Sequence, residues 1–140
     1  MKVDHNQSDY STLDILGDKW TLLILRDMLF EGKSSFSEFK ASREKIASNI
    51  LTARLAKLDS EGFVIKTAST ANKVKYLYSL TDKAIDLLPL FVELFNWAEK
   101  YSTEPLCSNP VYKKLTANNS ITITEYSTEL KQRRDHMLGI

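Results

Sequence analysis

Cysteine is nearly missing from this chain: its 140 residues include one, Cys107. That count excludes a disulfide framework within the monomer and a four-thiolate zinc site. Histidine is almost as scarce, with His5 and His136 isolated near the two ends. Neither forms part of a metal ligand set, and no metal or cofactor is expected. No apolar run approaches the roughly 18 residues of a membrane-crossing helix. The opening Met1-Lys2-Val3-Asp4-His5-Asn6-Gln7 shows no apolar stretch of a secretory signal. A cytoplasmic protein without a membrane partner is therefore expected. A G-x-S-x-G elbow, a Walker loop, a paired-cysteine site and an H-E-x-x-H pair are missing too, so an enzyme reading has no residue to stand on.

What is present fits a folded domain. Hydrophobic residues make up 43% of the chain and charged residues 26%, enough to bury a core and too apolar for general disorder. The length suits one domain with a modest extension, divided here as 1–101 and 102–140. Net charge is +1, which alone argues weakly against a polyanion partner. Its distribution says more. Residues 33–75 hold nine basic side chains (Lys33, Lys40, Arg43, Lys45, Arg54, Lys57, Lys66, Lys73 and Lys75) and four acidic ones (Glu38, Glu44, Asp59 and Glu61). That local +5 leaves −4 for the remainder.

Along the chain, a short amphipathic stretch over 9–16 carries Leu13, Ile15 and Leu16. Gly17 breaks it, and Asp18 caps a helix from Lys19 to Glu31. Apolar residues cover nearly the whole circumference of that helix, so it belongs in the core. Gly32 ends it. Ser35-Phe36-Ser37-Glu38 is a capping box opening a short helix to about Ala41, with Phe36 and Phe39 on its inner face. A polar connection, Ser42 to Lys45, leads to a helix over 47–61 with Ile50, Leu51, Leu55 and Leu58 at helical spacing, ended by Gly62. Phe63 to Thr67 and Val74 to Leu80 read as a hairpin with a polar, lysine-bearing tip. In the second strand Val74, Tyr76, Tyr78 and Leu80 alternate with Lys75, Leu77 and Ser79.

Thr81 then caps a long helix over 82–101, which Pro89 should kink near Ile85 to Leu88. The tail contains Pro105 and Pro110, a short Val111 to Leu115 piece, a turn at Asn118-Asn119-Ser120 and a last helix from about Thr124 to His136. Ile121-Thr122-Ile123-Thr124 alternates like a strand. The expected fold is mainly α with a small β-hairpin (α+β): a winged helix-turn-helix with a long C-terminal dimerisation helix and an additional helical tail.

The stretch Ile46 to Leu58 carries the strongest functional signal. Opposite its apolar face lie Ser48, Ala53 and Ala56, small enough to let the backbone approach a partner closely. Asn49, Thr52, Arg54 and Lys57 suit base edges or phosphates, with Lys45 just ahead of them. A plain solvated face is the alternative. Arg54 suits equally an ion pair with Asp59, Glu61 or Glu38. Ser37 and Lys40 suit phosphate contacts from the preceding helix, whereas Ser35 is better read as a cap. Lys73 and Lys75 at the wing suit phosphate or minor-groove contact, and equally a charged edge that resists strand pairing.

Helix 82–101 is apolar over well over half its wheel, more than a one-sided surface helix needs. A two-fold dimer contact through Leu13, Leu16, Leu90, Phe91, Leu94, Trp97 and Tyr101 is the favoured cover; the tail helix is the alternative. Trp20, Phe91, Phe95, Trp97 and Tyr101 offer a pocket for a small aromatic effector, or simply fill the core. Cys107 flanks no basic cluster and reads as an incidental thiol.

Several blocks together resemble the HxlR-type bacterial transcriptional regulators. They are Leu13-Asp14-Ile15-Leu16-Gly17-Asp18-Lys19-Trp20-Thr21-Leu22-Leu23-Ile24-Leu25-Arg26, Phe36-Ser37-Glu38-Phe39, Leu51-Thr52-Ala53-Arg54-Leu55-Ala56-Lys57-Leu58, Glu61-Gly62-Phe63-Val64 and Tyr78-Ser79-Leu80-Thr81. The resemblance spans about residues 7–101. It implies a homodimeric winged helix protein that binds a pseudo-palindromic operator in double-stranded DNA, and many such regulators respond to small reactive or aromatic molecules. The chain departs from the pattern in four places. The cysteine often found ahead of the first helix corresponds to about Gln7, so thiol sensing by that route is not expected. Ala47 replaces the serine that opens the recognition helix, Ala71-Asn72-Lys73 replaces a proline-rich wing tip with an arginine, and Ala84 stands where a glycine is usual. A winged helix module for protein–protein contact without DNA is the rival from another class.

Overall fold

In the computed structural model, residues 11–71, 75–104, 106, 115 and 120–140 are described. The chain runs α1 (Thr12–Leu16), α2 (Lys19–Glu31), α3 (Phe36–Lys40), α4 (Ser48–Ser60), β1 (Val64–Ala68), β2 (Tyr76–Leu80), α5 (Asp82–Ile85), α6 (Leu88–Tyr101) and α7 (Ser120–Leu138). This is a mainly helical winged helix-turn-helix, with α3 and α4 as the helix pair and the hairpin as the wing.

Local signals set most boundaries. The Asp18 carboxylate accepts the Thr21 amide at 2.9 Å and the Thr21 hydroxyl at 2.8 Å, capping α2. Gly32 ends α2 at φ +67°, a conformation that penalises a Cβ. The Ser35/Glu38 capping box forms as expected. Phe39 is fully buried, but Phe36 is 38% exposed. The two lie about 60° apart on the helical wheel; with Phe39 turned toward Tyr78, Phe36 falls at the rim.

The wing pairs β1 with β2 antiparallel, from Val64 opposite Leu80 to Ala68 opposite Tyr76. The segment before α3 adds a third, short pairing: Ser35 bridges Leu77, and the Tyr78 amide donates to the Ser34 carbonyl at 2.8 Å. Tyr78 and Leu80 face the core, while Tyr76 extends beyond it under the Lys66 ammonium, 4.1 Å from its ring centroid. Ser79 is buried as well, against simple alternation, because α7 lies over that side and the Met137 sulfur accepts its hydroxyl at 3.7 Å.

The long helix expected over 82–101 is two helices. Pro89 has no N–H, and its ring would clash with the carbonyl four residues back. The chain breaks at residues 86–87 and restarts, placing Pro89 in the first turn of α6, where a missing donor costs little. The last helix begins at Ser120 rather than Thr124, so Ile121 to Thr124 is helical. Ile123, Tyr126 and Leu130 recur at spacings of three and four and pack on the core, and that burial outweighs β propensity. Ala84, in place of the family's glycine, is fully buried within α5.

The connection between α3 and α4 is more than polar spacing. Asp27 is 1% exposed and accepts from three residues. Arg26 reaches it through Nη2 at 2.7 Å, Lys33 through Nζ at 3.1 Å, and Ser42 donates its hydroxyl to it. Arg26 also meets Glu44 with two bonds, at 2.7 and 3.0 Å. Burial opposes the charge on Arg26, but the bonds to Glu44 and Asp27 outweigh it and hold the guanidinium above its ordinary pKa. The same guanidinium lowers Glu44 to about 2. These bonds staple the end of α2 to residues 42–44, and Ile46 then enters the core ahead of α4. Asp27→Ala should therefore cost about 3–5 kcal/mol, because Lys33 and Ser42 lose their shared acceptor and Arg26 keeps only Glu44. Urea unfolding checks it, and a loss under about 1 kcal/mol would count against the staple.

Candidate nucleic-acid interface

The fold places α4 with one face inward and one outward. Leu51, Leu55 and Leu58 are buried, whereas Ser48, Asn49, Thr52, Ala53 and Ala56 are exposed. The polar side chains of Ser48, Asn49 and Thr52 have no hydrogen-bond partner among the described residues. Ala47 occupies the N-cap without a side-chain acceptor. The first-turn amides of α4 are thus not covered by a cap, an arrangement open to an anion.

Three of the longer cations of this region, Arg54, Lys40 and Lys57, are drawn to the protein itself. Arg54 does not pair with Asp59, Glu61 or Glu38. Its Nε and Nη2 donate to the Asp18 carboxylate at 2.8 and 3.1 Å, spanning from α4 to the start of α2. Arg54 holds the Asp18 carboxyl down at about 2 against the opposing effect of burial, with the Thr21 bonds adding to it. Asp18 in return raises the Arg54 guanidinium. Arg54 is thereby removed from the outward set and ties α4 in place. Lys40 donates to the Ile46 carbonyl at 2.7 Å and secures the turn ahead of α4. Lys57 reaches the Asp14 carbonyl at 3.4 Å. Ser37 is exposed, its hydroxyl 3.3 Å from that of Ser35. Lys45 is exposed at φ +56°, and Lys75 is exposed at the base of the wing tip. Lys73 lies outside the described residues.

The residues expected at a dimer contact divide. Leu13 (80% exposed), Trp97 (62%), Tyr101 (64%) and Leu90 (38%) stand on the surface, and Leu16 and Leu94 are half-buried. Phe91 is corrected: its side chain is buried within the monomer, its ring 6.2 Å from those of Phe30 and Phe95, because α6 turns it toward α2. The expected effector pocket is rearranged too. A cleft of about 290 Å³ lies between α2 and α6, lined by Leu22, Leu23, Phe91, Leu94, Phe95 and Leu106, with Lys19, Arg26 and Glu44 at its rim. Phe91 and Phe95 belong to it. Trp20, Trp97 and Tyr101 do not; the last two pack on each other at 5.3 Å on the surface.

A family model for HxlR-like helix-turn-helix proteins matches residues 15–105. The chain belongs to the HxlR-like helix-turn-helix family. It is 31% identical over 105 residues to the uncharacterized HTH-type transcriptional regulator YdeP of Bacillus subtilis, covering 71% of this chain and 81% of that protein. It is 35% identical over 89 residues to the uncharacterized HTH-type regulator YvaP of the same organism, covering 64% and 82%. The crystal structure of PA1607, a candidate transcription factor, superposes with a TM-score of 0.60 at 38% identity, covering 75% of this chain and 74% of that one. The HxlR-like match includes α2 to α6 and stops short of α7. Among the described residues, no helix is long and apolar enough to cross a membrane.

Sequence reasoning missed both ties that hold α4. Arg26 and Asp27 left a legible signal, since two adjacent charges inside an otherwise apolar helix demand buried partners. Asp18 left none: it reads completely as an N-cap, and its second duty toward Arg54 lies 36 residues away. Arg54→Ala should destabilise the protein by roughly 1–3 kcal/mol at neutral pH. A depressed carboxyl contributes stability above its unfolded pKa and loses it as pH falls through the folded value. The gap between wild type and Arg54→Ala should therefore be full near pH 7 and shrink from about pH 4 to about 2. Denaturant titrations across that range test it, and a gap that ignores pH would refute the pairing.

Proposed function

We propose that this chain is a cytoplasmic DNA-binding transcriptional regulator that acts as a homodimer on a pseudo-palindromic operator. The observation that carries the reading is the outward face of α4. Its exposed residues are short and polar or merely small, and the neighbouring Arg54 and Lys40 are tied inward. A solvated helix gains nothing from such a face, whereas a helix seated in a major groove needs that clearance. Ser48, Asn49 and Thr52 read bases or phosphates there, Ala53 lets the backbone close in, and Ser37, Lys45, Lys57, Lys73 and Lys75 serve the phosphates. The names of the relatives point the same way.

The dimer reading draws support from α6. Leu90, Leu94, Trp97 and Tyr101 follow one another at spacings of four, three and four, the seam of two packed helices. Residues 1–101 would then carry both DNA binding and dimerisation. Two-fold symmetry sets half-sites about 10 or 20 base pairs apart. The cleft between α2 and α6 has the apolar lining to hold a small aromatic effector.

Asn49→Ala should relax base preference by ~1–3 kcal/mol at one operator position. Lys75→Ala should weaken all sequences evenly and flatten the salt dependence by about one phosphate contact. Gel shifts over a salt series measure both, and no binding even at low salt would favour the protein–protein module instead. Trp97→Glu should turn the dimer into a monomer in light scattering at micromolar concentration; an unchanged mass would rule out the α6 seam.

A further inference from the structure

We propose that α7, which lies outside the family-matched residues, is a clamp that positions the wing for DNA, with Arg134 as its positioning residue. The proposal rests on the DNA-binding reading above. Four residues of α7 define the clamp: Tyr126, Leu130, Arg134 and Met137. At its first third, the Tyr126 hydroxyl donates to the Leu29 carbonyl at 2.6 Å, and its ring stacks on Phe30 with centroids 6.0 Å apart. Leu29 lies in the last turn of α2, where carbonyls lack helical donors, so this bond anchors α7 to the rigid centre of the fold. Leu130 continues the contact into the core.

At the other end α7 grips the wing. Arg134 donates through Nη1 to the Leu80 carbonyl at 3.1 Å and meets the Asp82 carboxylate at 2.8 Å, its side chain 14% exposed. Leu80 ends β2 and Asp82 begins α5, so a single guanidinium holds the joint where the wing returns to the body. Asp135 braces it at 2.7 Å. Met137 covers Ser79 on the strand face that alternation assigns to solvent. A two-stranded hairpin is marginal alone and needs a covering helix; α7 supplies that cover on the side away from the core. The orientation of Lys75 relative to α4 is thus set from beyond the family unit.

The test uses the full chain. In Arg134→Ala, amide exchange in β1 and β2 should rise by about tenfold while amides of α4 stay within about twofold. Lys75→Ala should cost about threefold or more in operator affinity in the wild-type background, and much less in Arg134→Ala, whereas the cost of Asn49→Ala should be the same in both. Arg134→Lys, which keeps a cation for Asp82, should recover part of both effects and serves if the alanine variant fails to fold. Unchanged exchange in the hairpin, an equal rise in α4, or an equal Lys75 effect in both backgrounds overturns the clamp while the regulator reading stands. A wild-type chain that binds no DNA at low salt overturns both.

Discussion

The buried carboxylate of Asp27 is the constraint on which the arrangement of α3 and α4 depends. A carboxylate taken out of water is tolerable only with good partners, and Asp27 draws its partners from three places: its own neighbour Arg26, Lys33 beyond the end of α2, and Ser42 beyond the end of α3. Arg26 extends the set to Glu44. The turn of the helix-turn-helix is consequently bonded to the most buried helix of the protein. At the opposite end of α2, Asp18 holds Arg54. One helix thus sets both the approach to α4 and its tilt, and α4 needs few charged contacts of its own.

This division changes the meaning of the local positive charge. The +5 over residues 33–75 counts Lys33 and Arg54, whose partners Asp27 and Asp18 lie outside that segment. What the surface offers to a polyanion is smaller and more selective than the sum: short polar groups on α4, with exposed lysines such as Lys45 and Lys75 around them. Steering by bulk charge is correspondingly weak in a chain of net charge +1. Recognition in such a site rests on close fit and on hydrogen bonds made after contact.

Much of the fold was legible because its signals are local. Asp18, Gly32, the Ser35/Glu38 box and the apolar spacing of α4 each act within about one helical turn, and each stands where the sequence reading placed it. Pro89 announced a disturbance, though a kink understated it: the proline is more comfortable in a first turn than inside a helix, so the helix divided. Ser79 and the run Ile121 to Thr124 misled for the same reason. Alternation describes what a strand does with one face buried and one wet, and α7 makes both assumptions fail.

The sequence by itself determined the ends of α2 and α3, the hairpin, the buried α2 and the small-faced α4, because capping, backbone sterics and apolar period are properties of neighbouring residues. Only the tertiary structure decided which charges remain available and which apolar residues remain on the surface. Arg54 meets Asp18 across 36 residues, Arg26 meets Glu44 across 18 and Arg134 meets Leu80 across 54. Phe91 turns inward while Trp97 stays out. Such choices depend on which groups the packed helices bring within bonding distance, and no local pattern encodes that distance.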